Sequence, residues 1–413
     1  MGFAVYLLLA LEALFALLLL KWSGCLQKKG GWIVSVLLVL LAFAARAYVF
    51  DYETLDYRDF LTKWVDFFRT NGHFAALRHS VGNYNIPYLY FLALFSLSSV
   101  KDLYLIKLLS TFFDLVLAWS SMMLLGRFTR RVGVRLACFF TVLFLPTVFL
   151  NSAVWAQCDS TYAAMLVLSL YLALDGKPSL SMLCAAVAFG FKLQAVFVLP
   201  VFAVLWMAKK IKWYHFLFFP AGYIALVLPA VLLGRPFWDT LTLYFSQTGS
   251  IGTALNYNSS SVFAFFRSVQ DPALASKAGI IGAFVYMLAI LLVCFFNRSR
   301  LGDRAILGAA VLFAVGIPFL LPHMHDRYFY CADILTLVLA FASWRCALAA
   351  PLTQFASLLG YHAYLKMRFL LPMRYGAMAL LAVLLIAVIY FAFSLFEETE
   401  GENAPPPQKK KTA

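Results

Sequence analysis

The sequence predicts an all-α polytopic membrane protein, with roughly 11–13 membrane-embedded helices and an outer loop bearing interfacial helices. Three observations predict it. The chain is 63% hydrophobic and only 13% charged, about half the charged share of a soluble domain, so lipid must solvate much of its surface. Apolar runs of near-spanning length recur along it, since about 20 residues at 1.5 Å rise cross the hydrocarbon layer. Alternating apolar-out, polar-in strands are absent, which leaves helices as the spanning element.

The runs follow in order. Leu7–Leu20 lacks a basic leader and a small-x-small cleavage site before Lys21, so it reads as a retained helix. Ile33–Phe50 comes next, then a polar outer loop over 51–100, in which Pro87–Ser98 is too short to span and reads as half-inserted. Leu103–Leu125 and Leu136–Leu150 follow. Leu180–Ala208 is too long for one straight span and carries Lys192 at its middle, so two short helices in a hairpin are expected. Phe216–Leu233, Gly279–Phe296, Ala305–Leu321, Ile334–Ala342 and Met378–Leu395 complete the series. Residues 1–396 read as one membrane domain, and the Pro- and Lys-rich tail 397–413 as disordered.

The net charge of +14 raises the possibility of a nucleic-acid partner, but no basic stretch lies on a soluble domain. The basic residues sit in short loops, around Lys28, Arg130, Lys177, Lys210, Arg300, Arg345 and Arg368. One parity assignment places all these loops on one side, which the positive-inside rule makes cytoplasmic, with both termini on the other side unless the region 351–373 changes the last crossing. That assignment gathers the acids, histidines and amides at the non-cytoplasmic face. The seven cysteines stand singly, without disulfide or metal spacing.

Five constellations on that face carry chemistry. Asp56, Asp59, Lys63 and Asp66 recur at helical spacing, on one face of an interfacial helix. They form either a solvated face or a carboxylate base at the membrane surface. Tyr84 opens an aromatic stretch ending at Tyr90, either an interfacial anchor or a sugar-stacking wall. Trp155, Gln157 and Asp159 begin a later span; Asp159 either caps that helix or joins a hydrogen-bonding wall. Lys192 and Gln194 lie at membrane depth, where a charge either snorkels or binds an anion. His323, His325, Asp326 and Arg327 form either part of a metal site, though no diagnostic third ligand supports it, or an anion cradle. Lys192, His325 and Arg327 together suit a lipid phosphate, and no P-loop or GxGxxG motif indicates a nucleotide.

At these residues the chain resembles GT-C superfamily glycosyltransferases, most closely bacterial relatives of the second mannosyltransferase of GPI-anchor assembly. The matching pieces are Asp56 to Trp64, Tyr84 to Tyr90, Lys107 to Asp114, Trp155 to Asp159, Phe191 to Gln194 and His323 to Tyr328, in the family's order. Asp326 stands where the family usually has Glu, and an extra first helix precedes the outer loop. The resemblance implies inverting transfer of a mannosyl or other hexosyl group from a polyprenyl-phosphate sugar. The acceptor would be a lipid- or glycan-linked hydroxyl on the non-cytoplasmic face of the cell membrane. By position it assigns the catalytic base to Asp56, with Asp59 as the alternative, and leaves Asp326 in support. It implies no cofactor.

Two other classes compete: a lipid-linked sugar flippase or transporter, and a polysaccharide polymerase or ligase. A flippase needs charges along a path to both faces, whereas the inner halves of these spans are almost uncharged and no internal repeat is visible.

Overall fold

Helices make up almost all of the regular structure among the described residues, as a chain this apolar requires. The computed structural model describes residues 1–244, 253–266 and 268–396; the expected disordered tail, 397–413, lies outside them. A hairpin of α1 (Phe3–Trp22) and α2 (Lys29–Val49) leads into the polar stretch 51–100, with α3 (Thr62–Thr70) and α4 (Ile86–Phe95). Then come α5 (Asp102–Leu125), α6 (Val132–Phe144), the one-turn α7 (Pro146–Phe149), α8 (Asp159–Leu174), α9 (Pro178–Phe191), α10 (Val201–Met207) and α11 (Phe218–Leu232). The last group is α12 (Phe237–Leu241), α13 (Pro272–Phe296), α14 (Asp303–Leu320), α15 (Tyr330–Ala342), α16 (Ala349–Leu365) and α17 (Met373–Phe396). Two parallel two-residue strands, β1 (Asn256–Tyr257) and β2 (Met324–His325), tie two loops together.

Among the described residues, seven helices are long and apolar enough to cross a membrane. Val132–Phe144 and Pro146–Val154, bent by 44°, make an eighth if taken as one span, and four shorter apolar helices accompany them. The protein is therefore an all-α, multi-pass membrane protein. The bend is local chemistry: Pro146 has no N–H to give to the preceding turn and starts a new helix instead.

Ion pairs mark the two ends of the bundle. At one end Arg127 meets Asp303 at 3.1 Å and Asp175 at 4.0 Å, Lys177 meets Asp175 at 2.8 Å, and Lys210 meets Asp303 at 2.9 Å. The loops after α5, α8 and α10 and before α14 thus converge. Asp159 opens α8 and Asp175 follows its last residue, so the 16-residue helix holds the opposite end about 24 Å away. Lys192 reaches Asp159 at that far end. The segment between Lys177 and Lys210 therefore goes out and returns, and its turn is an extended Lys192 (φ −154°, ψ 133°) followed by a 3₁₀ turn, Leu193–Phe197.

Met1 and Phe396, the first and last described residues, lie at opposite ends. The Met1 amino group lies 3.8 Å from Asp51, at the Asp159 end. α17 begins there, where Gly376 allows the close approach of Ser260, and runs away until Arg300 lies 5.3 Å over the Phe396 ring at the basic end. The cause is α16, Ala349–Leu365, a full additional helix in the region that could change the last crossing.

Candidate functional site

The site begins with a strained turn. After a π turn at Leu150–Val154, Ala156 takes a left-handed φ of +62°, which costs an L-residue on the order of 1–2 kcal/mol. In this turn residues 155 and 157 face the same target. Trp155 Nε1 and Gln157 Nε2 both donate to Asp56 Oδ2, at 2.8 and 2.7 Å. The Trp155 ring stacks on Tyr364 at 4.0 Å and 11°, and the Arg327 guanidinium lies 4.8 Å from its centroid.

Asp56 is fixed from its backbone side as well. Thr54 Oγ1 donates to the Trp155 carbonyl at 3.1 Å, and the Asp56 N–H donates to the Tyr364 hydroxyl at 3.0 Å. Asp56 precedes a π turn at Tyr57–Leu61, which widens the helix by one residue and changes the register. Tyr57, Leu61, Val65 and Phe68 turn inward, while Asp59, Lys63 and Asp66 face outward. The four charges expected on one face are therefore split. Asp56 joins the cluster and Asp59 does not.

Asp159 is the hub of the buried half. Its carboxylate receives Lys192 Nζ at 2.5 Å, Arg327 at 3.2 Å and Asn151 Nδ2 at 2.7 Å. It also sits in the first turn of α8, where a negative charge meets the helix dipole. Lys192 lies 5.7 Å from the Tyr84 ring centroid. Gln157 Oε1 accepts from the Tyr84 hydroxyl at 2.8 Å and from Arg327 at 2.5 Å. One amide thus joins Tyr84, Arg327 and Asp56.

Arg327 reaches the cluster because its loop is pinned. β2 pairs with β1, and His323, at φ +62°, bonds the Ala254 carbonyl through Nδ1 at 2.7 Å and Ser276 through Nε2 at 3.1 Å. Both His323 nitrogens are thereby engaged in holding the loop. His325 stacks on Tyr257 at 4.5 Å; burial, assisted by the Arg327 charge, pushes its imidazole down to about 4, so it is neutral at physiological pH. Asp326 is 7% exposed, and burial pushes its carboxyl up to about 7 although Arg327 Nε stands 3.7 Å away. The loop backs onto α16 at Gly360, where a Cβ would stand 2.7 Å from the Asn258 carbonyl oxygen and 3.0 Å from the Asp326 Cβ. Gln194 lies beside the Tyr328 hydroxyl rather than in the Asp159 network. No group of three or more metal-ligating side chains occurs among the described residues.

Asp56, Tyr84, Trp155, Gln157, Asp159, Lys192 and Arg327 thus come together, with His325, Asp326 and Gln194 at the rim. Reading the sequence misses Asn151, Tyr257, Tyr361 and Tyr364. Asn151 donates to the Tyr361 hydroxyl at 3.0 Å as well as to Asp159, so it locks the hub to α16. The spacing of Tyr361, Tyr364 and Gly360 on one face of a polar-looking stretch is the only signal available. No family model and no curated protein matches the chain.

Proposed function

We propose that the protein is a membrane glycosyltransferase that moves a sugar from a polyprenyl-phosphate donor to an acceptor hydroxyl, with inversion. The observation that carries this reading is the arrangement around Asp56. Trp155 and Gln157 hold Oδ2, the Tyr364 hydroxyl meets the same carboxyl group, and the side chain keeps 24% exposure. A carboxylate oriented by fixed donors and still reached from outside is suited to take a proton.

The two cations lie on the buried side of that carboxylate. Arg327 NH2 stands 3.9 Å from Asp56 Oδ2, and Lys192 is reached through Asp159. In the proposed reaction the acceptor oxygen bonds to the anomeric carbon as the bond from that carbon to the phosphate oxygen breaks. The hydroxyl proton passes to Asp56, and the lipid phosphate leaves with one more negative charge. Lys192 keeps ammonium N–H groups beyond its bond to Asp159, and Arg327 turns Nε to Asp326 at 3.7 Å and leaves NH2 beside Asp56 at 3.9 Å. These donors stabilise the leaving phosphate. Asp56 and Asp159 already balance two positive charges, so directed N–H groups hold the phosphate rather than a net positive field.

An apolar slot supports a lipid-linked donor. Four residues past Lys192 a cavity of about 340 Å³ opens between the 3₁₀ turn, α13 and α14, lined by Val196, Phe197, Pro200, Phe284, Met287 and Leu321 among others. Its lining is almost wholly apolar, as an isoprenoid chain requires.

The test is incubation of purified protein with a panel of polyprenyl-phosphate sugars and acceptors, measuring released lipid phosphate. Release with at least one donor supports transfer. If no donor is consumed but a labelled lipid-sugar crosses vesicles carrying the protein, the reading is wrong and transport replaces it.

A further inference from the structure

The stretch from Lys107 to Asp114 touches none of the groups assigned to the transfer, yet it carries a fully buried lysine, serine and aspartate. Lys107, Ser110 and Asp114 are spaced i, i+3 and i+7 on α5, so they share one side of that helix. All three are 0% exposed.

Each meets a different segment that leads into the site, Lys107 through backbone carbonyls and the other two through side chains of the segment they meet. Lys107 Nζ donates to the carbonyls of Tyr52 at 2.7 Å, Phe50 at 2.9 Å and Val49 at 3.4 Å. These belong to the end of α2 and the chain just beyond it, where helix geometry leaves carbonyls unpaired and a cation meets the negative dipole end. Four residues after Tyr52 comes Asp56. The Ser110 carbonyl accepts from Ser160 Oγ at 3.0 Å, one residue past Asp159. Asp114 Oδ2 accepts from Ser152 Oγ at 2.6 Å, three residues before Trp155, and from Arg46 of α2 at 2.9 Å. Arg46 also donates to the Leu143 carbonyl at 3.0 Å, close to the bend ahead of the π turn.

We infer that Lys107, Ser110 and Asp114 form an internal brace, with Lys107 and Asp114 as positioning residues that set Asp56 in register with Trp155, Gln157 and Asp159. The inference rests on the transfer reading for its catalytic meaning, and on geometry alone for the register. One rigid helix face sets the spacing of three otherwise separate segments, and none of its side chains reaches the reacting groups. A displacement on the order of 1 Å at a reacting group costs about 100-fold in rate while binding contacts elsewhere persist.

The test pairs kinetics with hydrogen–deuterium exchange on Lys107→Met and Ser152→Ala. Lys107→Met keeps chain length but removes every donor to the three carbonyls. It should speed exchange in residues 50–56 at least tenfold and leave α8 unchanged. Turnover should fall about 100-fold, with donor KM within threefold of the parent, because Lys192 and Arg327 are untouched. Ser152→Ala removes a single hydroxyl and should act in the same direction but more weakly, with faster exchange at 155–158; it carries the test alone if Lys107→Met does not insert. Unchanged exchange in both segments overturns the brace. So does a rise in donor KM matching the loss of turnover, which would mark general loosening. If the parent protein transfers no sugar at all, the transfer reading falls while the exchange measurements still decide the brace.

Discussion

Arg327 and Asp56 stand 3.9 Å apart, too far for a hydrogen bond, and are joined instead through Gln157, which accepts from the first and donates to the second. The side-chain amide makes the group proposed to meet the leaving phosphate and the proposed base parts of one network, so displacement of one is felt by the other.

Arg327→Lys keeps the charge but loses the planar guanidinium, whose NH1 donates to Gln157 and Asp159 while NH2 and Nε face Asp56 and Asp326. Turnover should fall roughly 100-fold, the cost of one transition-state donor. Steady-state kinetics check it, and a turnover equal to the parent's would show that charge alone suffices.

Asp159→Asn should harm stability more than any other single change at the site. Asp159 is 1% exposed and compensates both Lys192 and Arg327, so its loss leaves two buried cations short of a partner. The expected loss is about 3–5 kcal/mol, the range for breaking a buried pair. Denaturant unfolding in detergent measures it, and a loss under 1 kcal/mol would mean that water already screens the hub.

Asp326 gives the fold a pH dependence of defined sign. Its folded carboxyl is raised to about 7 by burial, so the folded state binds the proton more tightly than the unfolded chain does. That contribution is fully present below the unfolded value near 4 and is lost as pH rises through 7. Asp326→Asn should therefore match the parent near pH 4 and become progressively more stable than it up to about pH 7, with little further gain above. Thermal unfolding across that range decides the point; an advantage that shrinks with rising pH would reverse the assignment.

Opposite placement of Met1 and Phe396 is also testable. Single cysteines at Asn297 and Phe396 should be labelled from the same side of the membrane, and a cysteine at Tyr52 from the other. By the charge rule the first side is cytoplasmic. Labelling of Tyr52→Cys and Phe396→Cys from one side would put Met1 and Phe396 at one end instead.

Much of this was legible in the chain. The parity of the basic loops put Lys192, Asp159, Arg327 and Asp56 at one end, whereas the pairing of Lys192 with Asp159 was not foreseen, since the lysine was expected to snorkel or bind an anion. The choice between Asp56 and Asp59 was not legible, because ideal helical spacing puts them on one face and only the π turn at Tyr57–Leu61 separates them. The helix Ala349–Leu365 was obscured by its own polar residues. Gln354 and Ser357 lower its hydropathy, yet inside the bundle they bond Thr147 at 2.9 Å and Asp333 at 3.0 Å. Local composition cannot reveal such distant partners, and with that helix the contributions of Gly360, Tyr361 and Tyr364 were hidden too.

Asp56→Asn tests the central claim most directly. The amide keeps the size and can still accept from Trp155 through its oxygen, but it cannot take the acceptor proton. With a donor that the parent protein consumes, single-turnover transfer should fall by roughly 10²–10⁴-fold while donor binding stays within threefold. Asp59→Asn, an outward-facing change, should stay within threefold of the parent in both. Transfer by Asp56→Asn above about a tenth of the parent rate, well outside the loss expected on removing a base, would contradict the account.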